Sequence, residues 1–311
     1  GRSAVAAATP ARGVTVVIGG PGTGKTAVLA AAAVRRVSSG SSLDRIVVLS
    51  HSRAAAQQVR RQISRRLDRA QTSPQVTTIH GLSLGLLRRY WPHESSPWRL
   101  LRAPEQERRI RELLEGMPPE AWPEEVRPAL GTRAFSRQLR EVLARTRQLS
   151  MDPEVLAAHA SAAGDGLFSA TARFVEEYLT VGDFSGTLDY AELVYRSRLL
   201  LTEPGVAAGV TAAFDAVLVD DVQEADPAQI GLLADLAALG LPLLALGDPQ
   251  QRIGGFRGAA PTALADLAAL PGARVMTLEQ GHRASAAVAD SLGPLSERIE
   301  ARMAPPSPEP P

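Results

Sequence analysis

Gly19-Gly20-Pro21-Gly22-Thr23-Gly24-Lys25-Thr26 follows the apolar run Val14-Thr15-Val16-Val17-Ile18 and precedes Ala27-Val28-Leu29-Ala30-Ala31-Ala32-Ala33-Val34. Strand, glycine-rich loop and helix stand in the order that a phosphate-binding loop requires. The glycines let the backbone curl so that successive N–H groups face inward as a nest for an anion. The following helix adds the partial positive charge of its N-terminus. From this loop Lys25 can reach phosphate oxygens, and the Thr26 hydroxyl can ligate Mg2+. Lys25 is the only lysine in the chain, and every other basic residue of this kind is arginine. A compact ammonium on a flexible stem fits the cradle where a planar guanidinium would not.

Working outward, Leu43-Asp44-Arg45-Ile46-Val47-Val48-Leu49-Ser50 reads as a second buried strand and 53–69 as an arginine-rich helix. Val76-Thr77-Thr78-Ile79-His80 reads as a third strand, with a helix over 81–90. Strands alternating with helices in this way predict an α/β fold built on a parallel sheet. From 91 to 203 the character changes. Helical patterns over 104–116, 135–149, 153–163, 167–181 and 187–202 are separated by Pro and Gly breaks, and no strand candidate stands out. Strand–helix order returns with Phe214-Asp215-Ala216-Val217-Leu218-Val219-Asp220-Asp221, a helix over 227–239, a strand over 242–246, a helix over 261–269 and a strand over 273–278. The expected organisation is a discontinuous α/β domain (1–90 and 204–303), an all-helical insertion (91–203) and a Pro-rich tail or linker (304–311).

Composition bounds the rest. The chain has 311 residues, 45% hydrophobic and 22% charged, in the range of soluble globular domains. Its net charge of +1 hides an asymmetry. Six arginines between 51 and 70 face Asp68 alone, whereas eight acids between 214 and 270 face only Arg252 and Arg257. The arginine-rich helix reads first as a solvated face, with phosphate tracking as the alternative. The absence of cysteine excludes disulfides and thiolate metal sites and fits a reducing, cytoplasmic setting. No apolar run has the length of a membrane span, so no membrane partner is expected.

Val217-Leu218-Val219-Asp220-Asp221 supplies the second half of a nucleotide site. A carboxylate at the carboxyl end of a strand can hold Mg2+. The next acid can polarise an attacking water.

With these residues in place, the chain resembles the UvrD/Rep-type superfamily 1 DNA helicases, in order and over nearly its whole length. Leu49-Ser50-His51-Ser52-Arg53-Ala54-Ala55-Ala56 is similar to the family's motif Ia, and Thr77-Thr78-Ile79-His80-Gly81-Leu82 to motif Ib. Leu188-Asp189-Tyr190-Ala191-Glu192-Leu193 resembles the segment that returns the chain to the motor domain. Val219-Asp220-Asp221-Val222-Gln223-Glu224 is similar to motif II. Gly247-Asp248-Pro249-Gln250-Gln251-Arg252-Ile253-Gly254-Gly255-Phe256-Arg257-Gly258-Ala259 is similar to motif III, and Leu278-Glu279-Gln280-Gly281-His282-Arg283-Ala284-Ser285 to motif IV.

The resemblance implies a RecA-like ATP-binding motor domain (domain 1A) carrying the helical insertion (domain 1B). ATP would lie on Gly19, Gly20, Pro21, Gly22, Thr23, Gly24, Lys25 and Thr26, with His282 where a tyrosine usually stacks on adenine. Thr26 and Asp220 would hold Mg2+. Asp221 would take the place of the catalytic glutamate, Gln251 would sense the γ-phosphate, and Arg283 would meet transition-state charge. His51, His80, Phe256 and Arg257 would contact single-stranded DNA. From position alone His80 reads as a satisfied strand-end histidine and Phe256 as core; the motifs give them the DNA role. The implied activity is that of a 3′–5′ DNA helicase or translocase in DNA repair or recombination, acting on single-stranded DNA or a single-strand/duplex junction.

Several positions depart from the family pattern. Asp221 replaces glutamate and sets the carboxylate back by about 1.5 Å. Gly254 replaces the motif III tyrosine, His51 the motif Ia phenylalanine, and Ala27 an arginine. A second motor domain with motifs V and VI does not follow within these residues. The stretch alone is therefore expected to bind nucleotide without unwinding DNA, and to need a second motor domain or partner subunit. Such a weakened motor also resembles the less active subunit of a two-motor helicase–nuclease of the AdnAB type. The alternative is a hydrolysis-impaired nucleotide-binding DNA clamp or scaffold in such a complex.

Overall fold

In the computed structural model, the described residues are 12–67, 75–91 and 98–282. The chain divides into two compact units. Of the described residues, one comprises those within 1–78, 208–226 and 233–311, and the other those within 79–207 and 227–232.

The first unit is built on a six-stranded sheet. Its strands are β1 (Val14–Gly19), β2 (Ile46–Ser50), β3 (Gln75–Thr78), β6 (Ala216–Val219), β7 (Leu243–Gly247) and β8 (Arg274–Leu278). Their order is β3-β2-β6-β7-β1-β8, with every pairing parallel. Strands β2, β6 and β7 are buried along their whole length, whereas edge strands β3 and β8 are partly exposed. Continuous apolar runs suit interior parallel strands, because helices cover both faces. Helix α1 (Lys25–Ser38) buries Val28, Leu29, Ala30, Ala32 and Ala33 in the same core as Val17, Val48, Leu218 and Leu246. Helix α2 (Arg53–Ser64) adds Ala56, Val59 and Ile63. Its N-terminus is capped by Ser52, whose hydroxyl accepts from the Ala55 N–H at 3.1 Å, and its arginines lie off the buried stripe.

The second unit is helical: α3 (Ile79–Tyr90), α4 (Ala103–Gly116), α5 (Arg133–Gln148), α6 (Pro153–Ala163), α7 (Gly166–Phe184) and α8 (Tyr190–Leu201). Trp122 lies at the centre of its core, with ring centroids 5.3 Å from Phe135 and 6.2 Å from Phe174. The unit also contains a parallel pair of two-residue strands, β4 (Arg99–Leu100) and β5 (Thr187–Leu188), where the sequence offered no strand candidate. The pair shortens the expected helix over 187–202 to Tyr190–Leu201, with Asp189 as its cap. Helix α3 begins at Ile79, so His80 opens a helix where a strand end was expected. Its Leu87 packs with Leu188 and Leu193, which explains why 79–90 belongs to this unit.

Helix α9 (Pro204–Ala213) precedes β6, α10 (Pro227–Ala238) follows it, and α11 (Ala263–Ala268) precedes β8. Among the described residues, no helix is long and apolar enough to cross a membrane. Arg283 and the tail over 304–311 lie outside the described residues.

Candidate nucleotide site

The sheet brings the carboxyl ends of β1, β2, β6, β7 and β8 to one edge, where open α/β sheets hold their ligands. After β1, Gly22 and Gly24 adopt φ of 75° and 88°. This left-handed backbone curls the loop and is nearly free of cost only for glycine. Gly19 is excluded from carrying a side chain for another reason: a Cβ there would lie 2.5 Å from the Thr23 hydroxyl and 3.0 Å from Leu278 Cβ. The Thr23 hydroxyl donates to the Gly20 carbonyl at 2.9 Å and braces the turn. Lys25 Nζ reaches back over the loop to the Gly19 and Gly20 carbonyls at 2.6 and 3.0 Å. Helix α1 carries no acid of its own in its first turn, so its own side chains leave the positive end of its dipole unneutralised.

The Thr26 hydroxyl donates to Asp220 Oδ2 at 2.8 Å, joining residues from the P-loop and from the end of β6. Asp220 is buried, with 3% of its surface exposed. Burial, and then the charge of Asp221, raise its pKa to about 6. A carboxylate and a hydroxyl at hydrogen-bond distance form a hard-oxygen donor set suited to Mg2+, which fills its remaining positions with water and phosphate. A cation there would also favour the ionised carboxylate that burial disfavours. Among the described residues there is no group of three or more His, Cys, Asp or Glu that could hold a metal ion.

Among the described residues, Asp221 is one of two non-glycine residues in the left-handed region, with φ 54° and ψ 45°. Its Oδ2 lies 3.1 Å from His51 Nδ1, just beyond β2. Its Oδ1 accepts from Gln223 Nε2 at 3.4 Å. This pairing holds the His51 pKa above its ordinary value and the Asp221 pKa below the ordinary carboxylate range. Gln223 lies two residues beyond Asp221. It is buried, and its Oε1 accepts from the Asp248 N–H at 3.0 Å. Asp248 Oδ2 in turn accepts from Gln251 Nε2 at 2.5 Å. Gln223 and Asp248 therefore link the ends of β6 and β7, and the glutamine of the motif II resemblance was the signal that could have identified the link.

The motif III segment projects Ile253 and Phe256, each 82% exposed. The Arg257 guanidinium stands 5.0 Å from the Phe256 ring centroid. Phe256 is thus not a core residue. Gly254 has a local cause. The Glu224 carboxylate accepts from the Ile253 N–H at 2.8 Å, and a Cβ at Gly254 would collide with its other oxygen. The backbone N–H of His282 donates to the Gly22 carbonyl at 3.0 Å, placing His282 beside the P-loop.

In the other unit, the His80 ring meets Tyr190 edge-on with centroids 6.0 Å apart, and its Nδ1 lies 3.5 Å from Gln229 Nε2. Burial lowers its pKa.

The amino-acid sequence is similar to known proteins. The sequence profile of the UvrD/REP helicase N-terminal domain covers residues 2–269. The chain belongs to the UvrD/REP helicase family. Within that family, DNA helicase II of Escherichia coli (strain K12) and of Salmonella typhimurium (strain LT2) are each 26% identical to it over 97% of this chain. The chain spans 40% of the length of these relatives. The six-stranded parallel sheet is consistent with the RecA-like architecture of a UvrD/REP N-terminal domain.

Proposed function

We propose that this chain is the ATP-binding motor domain of an ATP-dependent 3′–5′ DNA helicase or translocase, acting on single-stranded DNA in repair or recombination. The observation that carries the proposal is the joining of Lys25, Thr26 and Asp220 at one sheet edge, with the exposed Phe256–Arg257 pair on the adjoining segment. The division of labour follows from the chemistry. P-loop N–H groups and Lys25 bind the phosphates. Thr26 and Asp220 would hold Mg2+, which shields phosphate charge when bound. Asp221 accepts the proton of the attacking water, Gln251 reports on the γ-phosphate, and His282 covers the adenine. Arg283 adds charge at the transferring phosphoryl group. His51, His80, Phe256 and Arg257 meet the DNA, the ring of Phe256 stacking on any base. A second motor domain or partner subunit completes the machine, in a cytoplasmic setting. The division into a motor unit and a helical insertion belongs to the same proposal.

Steady-state ATPase measured with and without single-stranded DNA tests this reading. DNA-stimulated turnover that Lys25→Ala abolishes is the expected outcome. Turnover indifferent to DNA would contradict it. One observation favours a second reading, a hydrolysis-impaired clamp or scaffold: both oxygens of the shortened acid Asp221 are already engaged. Tight ATP binding without turnover, with DNA and a partner motor present, would select it.

A further inference from the structure

Two departures from the family pattern, His51 and Asp221, are bonded to each other across 170 positions of sequence. The sheet order gives that bond a direction. The strands run β2-β6-β7-β1, so the P-loop lies beyond β6 on one side and His51 lies beyond it on the other. The bond to His51 Nδ1 therefore draws the Asp221 carboxylate towards β2 and away from the phosphates. The left-handed backbone at Asp221 fixes the point from which the side chain departs. The other oxygen is tied through Gln223 and Asp248 to Gln251. A carboxylate with both oxygens engaged is poorly placed to take a proton from water. His51 itself is about two-fifths exposed, 41% by side chain, and is reachable from solvent. It sits immediately before the Ser52 cap of α2, which anchors the neighbouring backbone.

We infer that His51 is a positioning residue that holds Asp221 in an unproductive orientation, and that single-stranded DNA engaging His51 releases the carboxylate for hydrolysis. The inference rests on the motor reading above and deepens it by naming the contact through which DNA would control turnover. A nucleic acid phosphate competes with Asp221 for the same Nδ1–H, and a base competes for the imidazole face. In either case the ligand gains a contact that exists only in the released state, which is what shifting a two-state equilibrium requires. Because Asp221 is one methylene shorter than glutamate, a histidine from the neighbouring strand end reaches it without entering the phosphate site.

The test compares the full chain with His51→Ala and His51→Asn in steady-state ATPase, with and without oligo(dT). Loss of a charge-assisted but partly exposed hydrogen bond is expected to raise DNA-free kcat about tenfold, with KM for ATP little changed. The ratio of DNA-stimulated to DNA-free turnover then collapses. Asparagine presents a donor near the position of Nδ1 and is expected to restore the ratio. Unchanged DNA-free turnover in His51→Ala would overturn the inference. So would a fall by the same factor in both arms, which would make His51 an aligning group or a base.

A second readout needs no hydrolysis. Imidazole 15N spectra of the full chain, which has five histidines, allow His51 to be assigned by its loss in His51→Asn. Its Nδ1 resonance is expected to move in Asp221→Asn and to move on adding oligo(dT). A signal unmoved by either overturns the inference. Absence of turnover in every variant would instead count against the motor reading and leave the spectra to decide the role of His51.

Discussion

Asp221 holds a left-handed backbone that asparagine tolerates about as well as aspartate. Asp221→Asn is therefore expected to add no backbone strain and to cost only the stability of the His51 pair, while lowering ATP turnover by on the order of 10²-fold or more, as removal of a general base does. Unfolding scans run beside the ATPase assay check both halves. The same pair carries a pH signature. Folding raises the His51 pKa, so its share of stability is fully present below its unfolded value of about 6.5 and is lost as pH rises through the higher folded value. Asp221 is shifted downward, so its share is present above its unfolded value of about 3.9 and is lost as pH falls through the lower folded value. Urea titrations of the chain and of His51→Ala are expected to differ most between these limits and to converge at alkaline pH. At this scale the sequence displayed Lys25, Thr26 and Asp220, because each falls in a local motif with its own chemistry. It could not display the partner of His51, which is 170 positions away and meets it only through strand order.

Among the elements, the interior strands were legible because both of their faces are buried and their apolar runs are unbroken. Strands β4 and β5 were not, since two residues carry no periodicity. Helix α9 was missed for a different reason: Gly205 and Gly209 lower helix propensity, and packing overrides it. The β-branched run Thr77-Thr78-Ile79 extended the expected third strand to His80, whereas the chain turns helical at Ile79. The P-loop turn itself is testable. Gly24 precedes α1 at φ 88°, so Gly24→Ala is expected to cost about 1–2 kcal/mol of stability and to weaken nucleotide binding, checked by urea unfolding and equilibrium titration. Retained stability with retained affinity would show that the curl of the loop does not require glycine there.

At the scale of the whole molecule, two cores are built differently. The hydrophobic core of the sheet unit is aliphatic, drawn from Val, Leu, Ile and Ala. The helical unit buries an ionic network in which Glu192, 3% exposed, is paired with Arg147 at 2.5 Å and Arg196 at 2.9 Å. Nearby, Asp189 caps α8 and accepts from Tyr178 at 3.2 Å. Burial raises the pKa of both acids against the pull of their partners. Breaking such a pair from one side leaves an uncompensated buried charge. Arg147→Met is thus expected to destabilise the chain by about 3–5 kcal/mol, and adding Glu192→Leu to recover part of that loss. Denaturant unfolding followed by circular dichroism measures both. The motif Leu188-Asp189-Tyr190-Ala191-Glu192-Leu193 marked this segment in the sequence, but the burial of its acids depends on α5 and α7, which periodicity alone could not bring together.

All of this turns on whether the loop that opens the chain holds a nucleotide. The direct measurement is equilibrium binding of MgATP to the purified chain and to Lys25→Ala, with and without EDTA. The account predicts saturable, Mg2+-dependent binding that Lys25→Ala weakens about tenfold or more. Binding that ignores both the metal and the lysine, or no binding at all, would contradict it.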